Sequence, residues 1–256
     1  MNRPDSAADR VRQRARTTED ERLLDRPEGL DMSEDAWRVF RIIGEFVEGF
    51  DELSRIGDAV SIFGSARVPP GHPQYEACVE TAKLLGESGL AIITGGGPGI
   101  MEAANKGARL AGALSVGCNI ELPMEQGGNP YVDISIDFRY FFVRKTMFLK
   151  YAQAFVIFPG GFGTMDELFE ALTLIQTRKV HDFPVVLFGT EYWKGLMDWL
   201  RGTLAMEGKI SPADLDLVCV TDDPARVVEH IRSHASRRRR QRTDPRGGRR
   251  ATDVSL

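Results

Sequence analysis

Cysteine is scarce. Cys78, Cys118 and Cys219 are the only three, widely spaced, with no CxxC and no histidine at ligand spacing. That excludes a disulfide framework and a zinc site, and makes a reducing cytoplasm the expected setting. Long hydrophobic runs are missing as well. Apolar stretches such as residues 154–158 stop far short of the roughly 20 residues a membrane span needs, and the opening MNRPDSAADRVRQRAR has no apolar signal core. Neither secretion nor a membrane partner is expected. Two nucleotide fingerprints are also absent. GxGxxG fails because Ile100 stands where a glycine is required, and GxxxxGK[ST] occurs nowhere, so hydride transfer and P-loop NTP hydrolysis lose their best signals. What remains, 42% apolar and 27% charged over 256 residues, is the composition of an ordinary globular protein with a sizeable core.

The net charge of −4 hides an asymmetry. Residues 236–256 hold eight arginines against two aspartates, a net of +6, which leaves residues 1–235 at −10. RRRRQRTDPRGGRR has no apolar periodicity, so the tail is expected to be disordered and solvated. A nucleic-acid partner is not expected, because the body is acidic and its basic residues are not interleaved with aromatics.

Residues 1–32 alternate arginine with acidic residues and read as a flexible leader. From Ser33 the stretch SEDAWRVFRIIGEFVEGFDELSRIG sets Trp37, Phe40, Ile43, Phe46, Val47 and Phe50 at helical spacing, an amphipathic helix whose aromatic face packs on the body or on a second subunit. After Gly57, apolar runs at 59–64, 90–95, 113–119, 132–138, 154–159, 184–189 and 217–221 alternate with helical patterns at 74–88, 100–111, 140–151, 164–177, 192–207 and 224–234. Strands this apolar, separated by helices, indicate an α/β, Rossmann-like, doubly wound and mainly parallel sheet with helices on both faces. One domain over 33–235 accounts for every element.

In such sheets ligands bind beyond the carboxyl ends of the strands. Three strand-to-helix loops stand out: GSAR at 64–67, GGGPGIM at 95–101 and PGGFGTMDE at 159–167. Glycines let backbone approach a ligand, and a helix N-terminus offers free N–H groups and the positive end of the macrodipole. Any one cluster could be a bare turn; two, together with Gly64 and Ser65, favour a phosphorylated ligand, a mononucleotide or sugar phosphate. Thr164 can cap its helix or bond a phosphate oxygen. Glu167, expected in the first turn of that helix, can share the crevice, whereas Asp166 points about 100° away and serves the helix N-terminus. Arg144 and Lys145, in FFVRKTMF, precede a strand and can stand at the same crevice edge.

The nine residues from Pro159 to Glu167 complete the pattern PGGxGTxxE, Gly95 to Met101 approximate GGGxxGLM with one residue fewer and Ile100 for leucine, and Arg144-Lys145 supply an RK pair. On these motifs the chain resembles the LOG family of phosphoribohydrolases, which activate cytokinins in plants and whose bacterial members were often labelled lysine decarboxylases. About two thirds of the chain takes part. The resemblance implies hydrolysis of the N-glycosidic bond of a nucleoside 5′-monophosphate, an N6-substituted AMP in the family's typical reaction, to free base and ribose 5-phosphate. It further implies a homodimer or larger assembly and needs no cofactor or metal. Catalytic roles carry over to Arg144 and Glu167, and substrate binding to Ser65, Gly95, Gly96, Gly97, Gly99, Lys145, Gly160, Gly161, Gly163 and Thr164. Phe142 replaces the histidine of shorter members, and the N-terminal helix and basic tail match a longer bacterial branch. Breaking the ribose–purine bond passes through an oxocarbenium-like state that a carboxylate can stabilise; Arg144, always protonated, would orient Glu167, hold substrate or steady the leaving base. The alternatives are a general purine nucleoside 5′-monophosphate nucleosidase and a non-catalytic nucleotide or pterin carrier or sensor. Nothing marks a lysine for pyridoxal phosphate.

Overall fold

The computed structural model describes residues 18–24, 32–122 and 128–243. Seven strands form one sheet: β1 (Ala59–Phe63), β2 (Ala91–Thr94), β3 (Ser115–Ile120), β4 (Ile134–Phe138), β5 (Ala152–Ile157), β6 (Val185–Phe188) and β7 (Val218–Thr221). Their order is β4-β3-β2-β1-β5-β6-β7, and every pairing is parallel. The apolar runs therefore form strands where the sequence places them. β1 and β2 are buried at every residue, as covered parallel strands must be, and only the edge strand β4 alternates exposed with buried.

Among the described residues eight α-helices flank the sheet or its edges: α1 (Glu19–Leu24), α2 (Met32–Leu53), α3 (Pro73–Glu87), α4 (Ile100–Leu110), α5 (Phe141–Tyr151), α6 (Phe162–Gln176), α7 (Thr190–Trp199) and α8 (Pro224–Thr243). Alternate strand residues feed two cores. Val60, Ile62, Ile92, Val156 and Val186 pack under α3, α4 and α8 with Tyr75, Leu85, Ala104 and Ile231. Phe63, Ile93, Phe155, Ile157 and Leu187 pack on the other face with Leu53, Met147, Phe148, Leu168 and Trp193.

Some boundaries differ from expectation. The leader is not featureless: Glu19–Leu24 is helical, and its Glu19 is buried against Tyr140. The last helix runs to Thr243, through the first arginines of the tail. The rest of the expected leader and tail, residues 1–17, 25–31 and 244–256, lies outside the described residues. The expected helix at 192–207 ends at Trp199 and continues as a wider π turn, Leu200–Ala205.

The topology reverses direction beside β1. The first four strands step outward to the β4 edge, and α5 then crosses back to put β5 against the other side of β1. Because α5 starts above the carboxyl end of β4 and descends toward β5, its first turn overhangs the ends of the strands. The crevice between β1 and β5 is closed by backbone bonds, Ser65 N–H to Pro159 O (2.9 Å) and Phe158 N–H to Phe63 O (2.8 Å).

Candidate active site

Two compartments open along these strand ends. One, of about 660 Å³, lies between residues 64–67, the first turn of α5 and the N-terminus of α6, and is lined by Ser65, Arg67, Gly161, Gly163, Thr164 and Glu167. The second, of about 710 Å³, lies above β2, β3 and β4 and is lined by Gly95, Gly96, Gly97, Asn119, Ser135 and Asp137. Gly95, Met101, Phe141 and Arg144 line both. The cleft is thus continuous, with Arg144 at its waist.

Arg144 is tied to the sheet. Its Nε–H donates to the Cys118 carbonyl at the end of β3 (2.7 Å), and its guanidinium lies 4.9 Å from the Phe148 ring centre. Desolvation lowers its pKa, while the Glu167 carboxylate pulls the other way; a guanidinium stays protonated regardless. Gly95 is what lets the loop pass: a Cβ there would collide with the guanidinium and with the Met101 sulfur.

Glu167 sits in the second turn of α6 rather than the first, since the helix begins at Phe162, two residues earlier than the sequence suggests. It is only 7% exposed. Burial drives its pKa up to about 7, against the nearby charges of Lys145 and Arg144, with Glu170 and Asp166 adding to the rise. The carboxylate therefore changes charge near neutrality, the range in which proton exchange with water is most effective.

Lys145 departs from its expected role. Its Nζ lies 2.7 Å from Asp166, 3.0 Å from Glu170 and 3.6 Å from Glu167 Oε1, and neither compartment of the cleft includes it. Neighbours on a helix differ by about 100°, so Arg144 faces the cleft while Lys145 faces α6. The residue in contact with the Glu167 carboxylate is thus Lys145, and Asp166 serves as its ion-pair partner rather than as a helix cap. Although burial opposes it, the three carboxylates raise the Lys145 pKa. A lysine held this firmly as ammonium does not fit the Schiff-base role that pyridoxal phosphate requires, which needs the free amine.

The glycine motifs divide by function. Gly161 is the N-cap of α6 and has no side chain with which to cap, and Gly163 and Thr164 form its first turn. Thr164 is therefore inside the helix rather than at the cap, and it faces the cleft. Gly160 lies beneath Thr164, and its carbonyl accepts from the Tyr192 hydroxyl (2.7 Å). Gly99 lies off the cleft: at φ +70° it packs on the Ser65 carbonyl, where a Cβ would clash, and the next residue donates Ile100 N–H to Ser65 O (3.0 Å). Gly160 and Gly99 thus shape the loops that Gly161, Gly163, Thr164 and Ser65 present.

Sequence reading missed two supports. The triple-glycine loop is held from below by buried amides: Asn129 Nδ2 lies 3.1 Å from Gly96 O, 3.0 Å from Gly97 O and 2.9 Å from Asn105 Oδ1. Asn105 also accepts from Thr94 (2.6 Å) and donates to Ser115 (2.8 Å). The N-terminus of α5 is held by carboxylates from distant elements. Glu45 of α2 accepts from the Arg139 and Tyr140 N–H groups, at 3.1 and 3.3 Å, and Asp20 of α1 accepts from Phe141 N–H at 3.1 Å. Among the described residues no group of three or more His, Cys, Asp or Glu is placed to hold a metal ion, and no helix is long and apolar enough to cross a membrane.

Residues 101–231 match the family described as "Possible lysine decarboxylase". A Mycobacterium tuberculosis (strain ATCC 25618 / H37Rv) protein named cytokinin riboside 5′-monophosphate phosphoribohydrolase is 31% identical over 158 residues, 60% of this chain and 83% of that protein. One of the same name from Rhodococcoides fascians is 36% identical over 91 residues, 35% of this chain but only 45% of that protein. Among solved structures, the molybdenum cofactor carrier protein of Chlamydomonas reinhardtii superposes with a TM-score of 0.51 at 22% identity, over 70% of this chain and 98% of that one. At that identity the likeness shows a shared fold.

Proposed function

Because this chain belongs to the LOG family, the "Possible lysine decarboxylase" family that includes the cytokinin riboside 5′-monophosphate phosphoribohydrolases, we propose that it hydrolyses the N-glycosidic bond of a purine nucleoside 5′-monophosphate, with N6-modified AMP as the favoured substrate. One observation carries the reading: a buried carboxylate with a pKa of about 7, Glu167, shares a cleft with an arginine, the triple-glycine loop and the glycine-rich N-terminus of α6. A carrier needs the glycines and has no use for such a carboxylate.

In this reading the 5′-phosphate lies at the α6 N-terminus, bonded by backbone N–H groups, Thr164 and Ser65, where the helix dipole favours an anion. The ribose spans the waist, and the base occupies the compartment of Asn119, Ser135 and Asp137. The bond from C1′ to the purine nitrogen breaks with its electron pair going to the base, which takes up a proton from solvent, balanced when Glu167 gives back to solvent the proton it accepts from the attacking water. Ionised Glu167 faces the positive charge developing on the ribose and accepts the proton of the water that adds to C1′. Arg144 stabilises the departing base electrostatically. Lys145 is a positioning residue, keeping Glu167 ionised at lower pH than burial alone would allow. The chain acts as a homo-oligomer.

Incubation with AMP and with N6-isopentenyl-AMP, following ribose 5-phosphate and free base, tests the proposal. Release that disappears in Glu167→Gln supports it, and the ratio between the substrates reports base preference. Nucleotide binding by both proteins with no release from either would establish a carrier or sensor instead.

A further inference from the structure

α5 carries Arg144 but brings no cap of its own. Tyr140 at its N-cap makes no side-chain cap bond, and its first turn holds no acidic residue. The free N–H groups at such a start need acceptors from outside the helix. Glu45 of α2 and Asp20 of α1 provide them, and Asp20 takes Phe141, the first residue of the helix. Tyr140 is the hub. It is wholly buried; its N–H donates to Glu45 (3.3 Å) and its hydroxyl to Glu19 of α1 (3.2 Å). Its carbonyl accepts the backbone N–H of Arg144 itself (3.2 Å), the bond that closes the first turn.

α1 is short but firmly seated. Thr18 and Glu21 cap one another at its start, Thr18 N–H to Glu21 Oε2 (2.9 Å) and Glu21 N–H to Thr18 Oγ1 (3.2 Å). Leu23 packs against the core, and Glu19 joins Arg22 of its own helix (2.6 Å) and Arg41 of α2 (3.2 Å) as well as Tyr140. Turning carboxylates inward costs desolvation, and what Glu19 and Asp20 together hold is the start of α5. We propose that α1 is part of the framework of the cleft, with Glu19 and Asp20 as positioning residues that fix the first turn of α5 and, through it, Arg144. The proposal rests on the role given to Arg144 above, and assigns a task to a segment whose sequence reads as a flexible leader. Arg144 is anchored twice, by its Nε at Cys118 and by its backbone at Tyr140. Loosening the second anchor lets the guanidinium shift about the first. The contact weakened is then the one made to the departing base, while the phosphate loop at α6 is untouched. Losing an interaction made only in the transition state lowers kcat and leaves KM little changed.

Full-length wild type, Asp20→Ala and Asp20→Asn are compared by steady-state kinetics on AMP or N6-isopentenyl-AMP, whichever is turned over, and by hydrogen exchange read by mass spectrometry. Asparagine keeps an oxygen for Phe141 N–H and caps as well as aspartate, whereas alanine offers none. For Asp20→Ala the expected result is kcat lowered at least about fivefold with KM within about twofold, and exchange over residues 139–144 faster by at least about fivefold, while α3 exchanges as in wild type. Asp20→Asn should restore both. Unchanged kcat or unchanged exchange in Asp20→Ala overturns the proposal. Faster exchange throughout the chain also overturns it, because α1 would then be a general stabiliser, and so does a loss that asparagine fails to restore. A wild type that releases base from neither nucleotide overturns the reading of the function and not the clamp, which the exchange arm then decides alone.

Discussion

Replacing Glu167 by glutamine should abolish turnover and make the protein more stable, by an amount that depends on pH. The carboxyl titrates at about 7 in the folded chain against 4.5 as its ordinary value. With its folded pKa raised, the group's contribution to stability is fully present below the unfolded value and is lost as pH rises through about 7. At about 1.4 kcal/mol per unit, the ionised carboxylate costs the fold about 3 kcal/mol at high pH, and under about 1 kcal/mol near pH 5. Glutamine has the same shape and no charge, so it escapes that cost, while Lys145 keeps Asp166 and Glu170 as partners. For a domain of this size about 3 kcal/mol corresponds to roughly 6–12 °C in Tm. Thermal unfolding of both proteins at about pH 5 and about pH 9 measures it directly. A variant no more stable than wild type at pH 9, or more stable by the same margin at both, would refute the assignment of a buried carboxylate that ionises at a cost to the fold.

Three other outcomes follow from the same geometry. In the wild type kcat/KM should rise with pH through about 7 as Glu167 ionises, and Lys145→Met, which removes the main charge opposing the shift, should move that limb to higher pH while Lys145→Arg largely restores it; pH–rate profiles decide. Gly95→Ala puts a Cβ against the Arg144 guanidinium and should lower kcat at least about tenfold, the equivalent of about 1.4 kcal/mol, with little change in unfolding midpoint, to be checked by steady-state kinetics beside urea denaturation. Asn129→Ala takes the amide donor from the Gly97 carbonyl and from Asn105 Oδ1, while Gly96 O keeps the residue's backbone N–H; it should cost about 1–3 kcal/mol in urea unfolding and raise KM for the nucleotide.

The strands and most helices were legible because covered parallel strands are uninterrupted apolar runs, and because glycine clusters mark where several of them end. The glycine loops that line the cleft, and Glu167 beside them, could be placed for the same reason. Other features have no local period. Glu45 reaches Arg139 and Asp20 reaches Phe141 across 94 and 121 residues, and the Asn129 bonds to the glycine loop span more than 30. Hydrogen bonds between residues so far apart leave no pattern in a chain read from end to end. Adjacency misled at Arg144-Lys145, where consecutive letters suggested one crevice edge and the helix turned Arg144 to the cleft and Lys145 to the carboxylates of α6.

The crossing made by α5 divides the chain into two unequal shares of one site. Everything through Tyr151 supplies Ser65, the triple-glycine loop and Arg144; everything from Ala152 supplies the second glycine loop and Glu167. Within the sheet the shares meet along a single seam, β1 against β5. Neither share holds both charges that the proposed chemistry uses, so on that proposal a nascent chain that has emerged only as far as α5 is silent however well it has folded. Turnover, where it occurs, reports that the seam has closed.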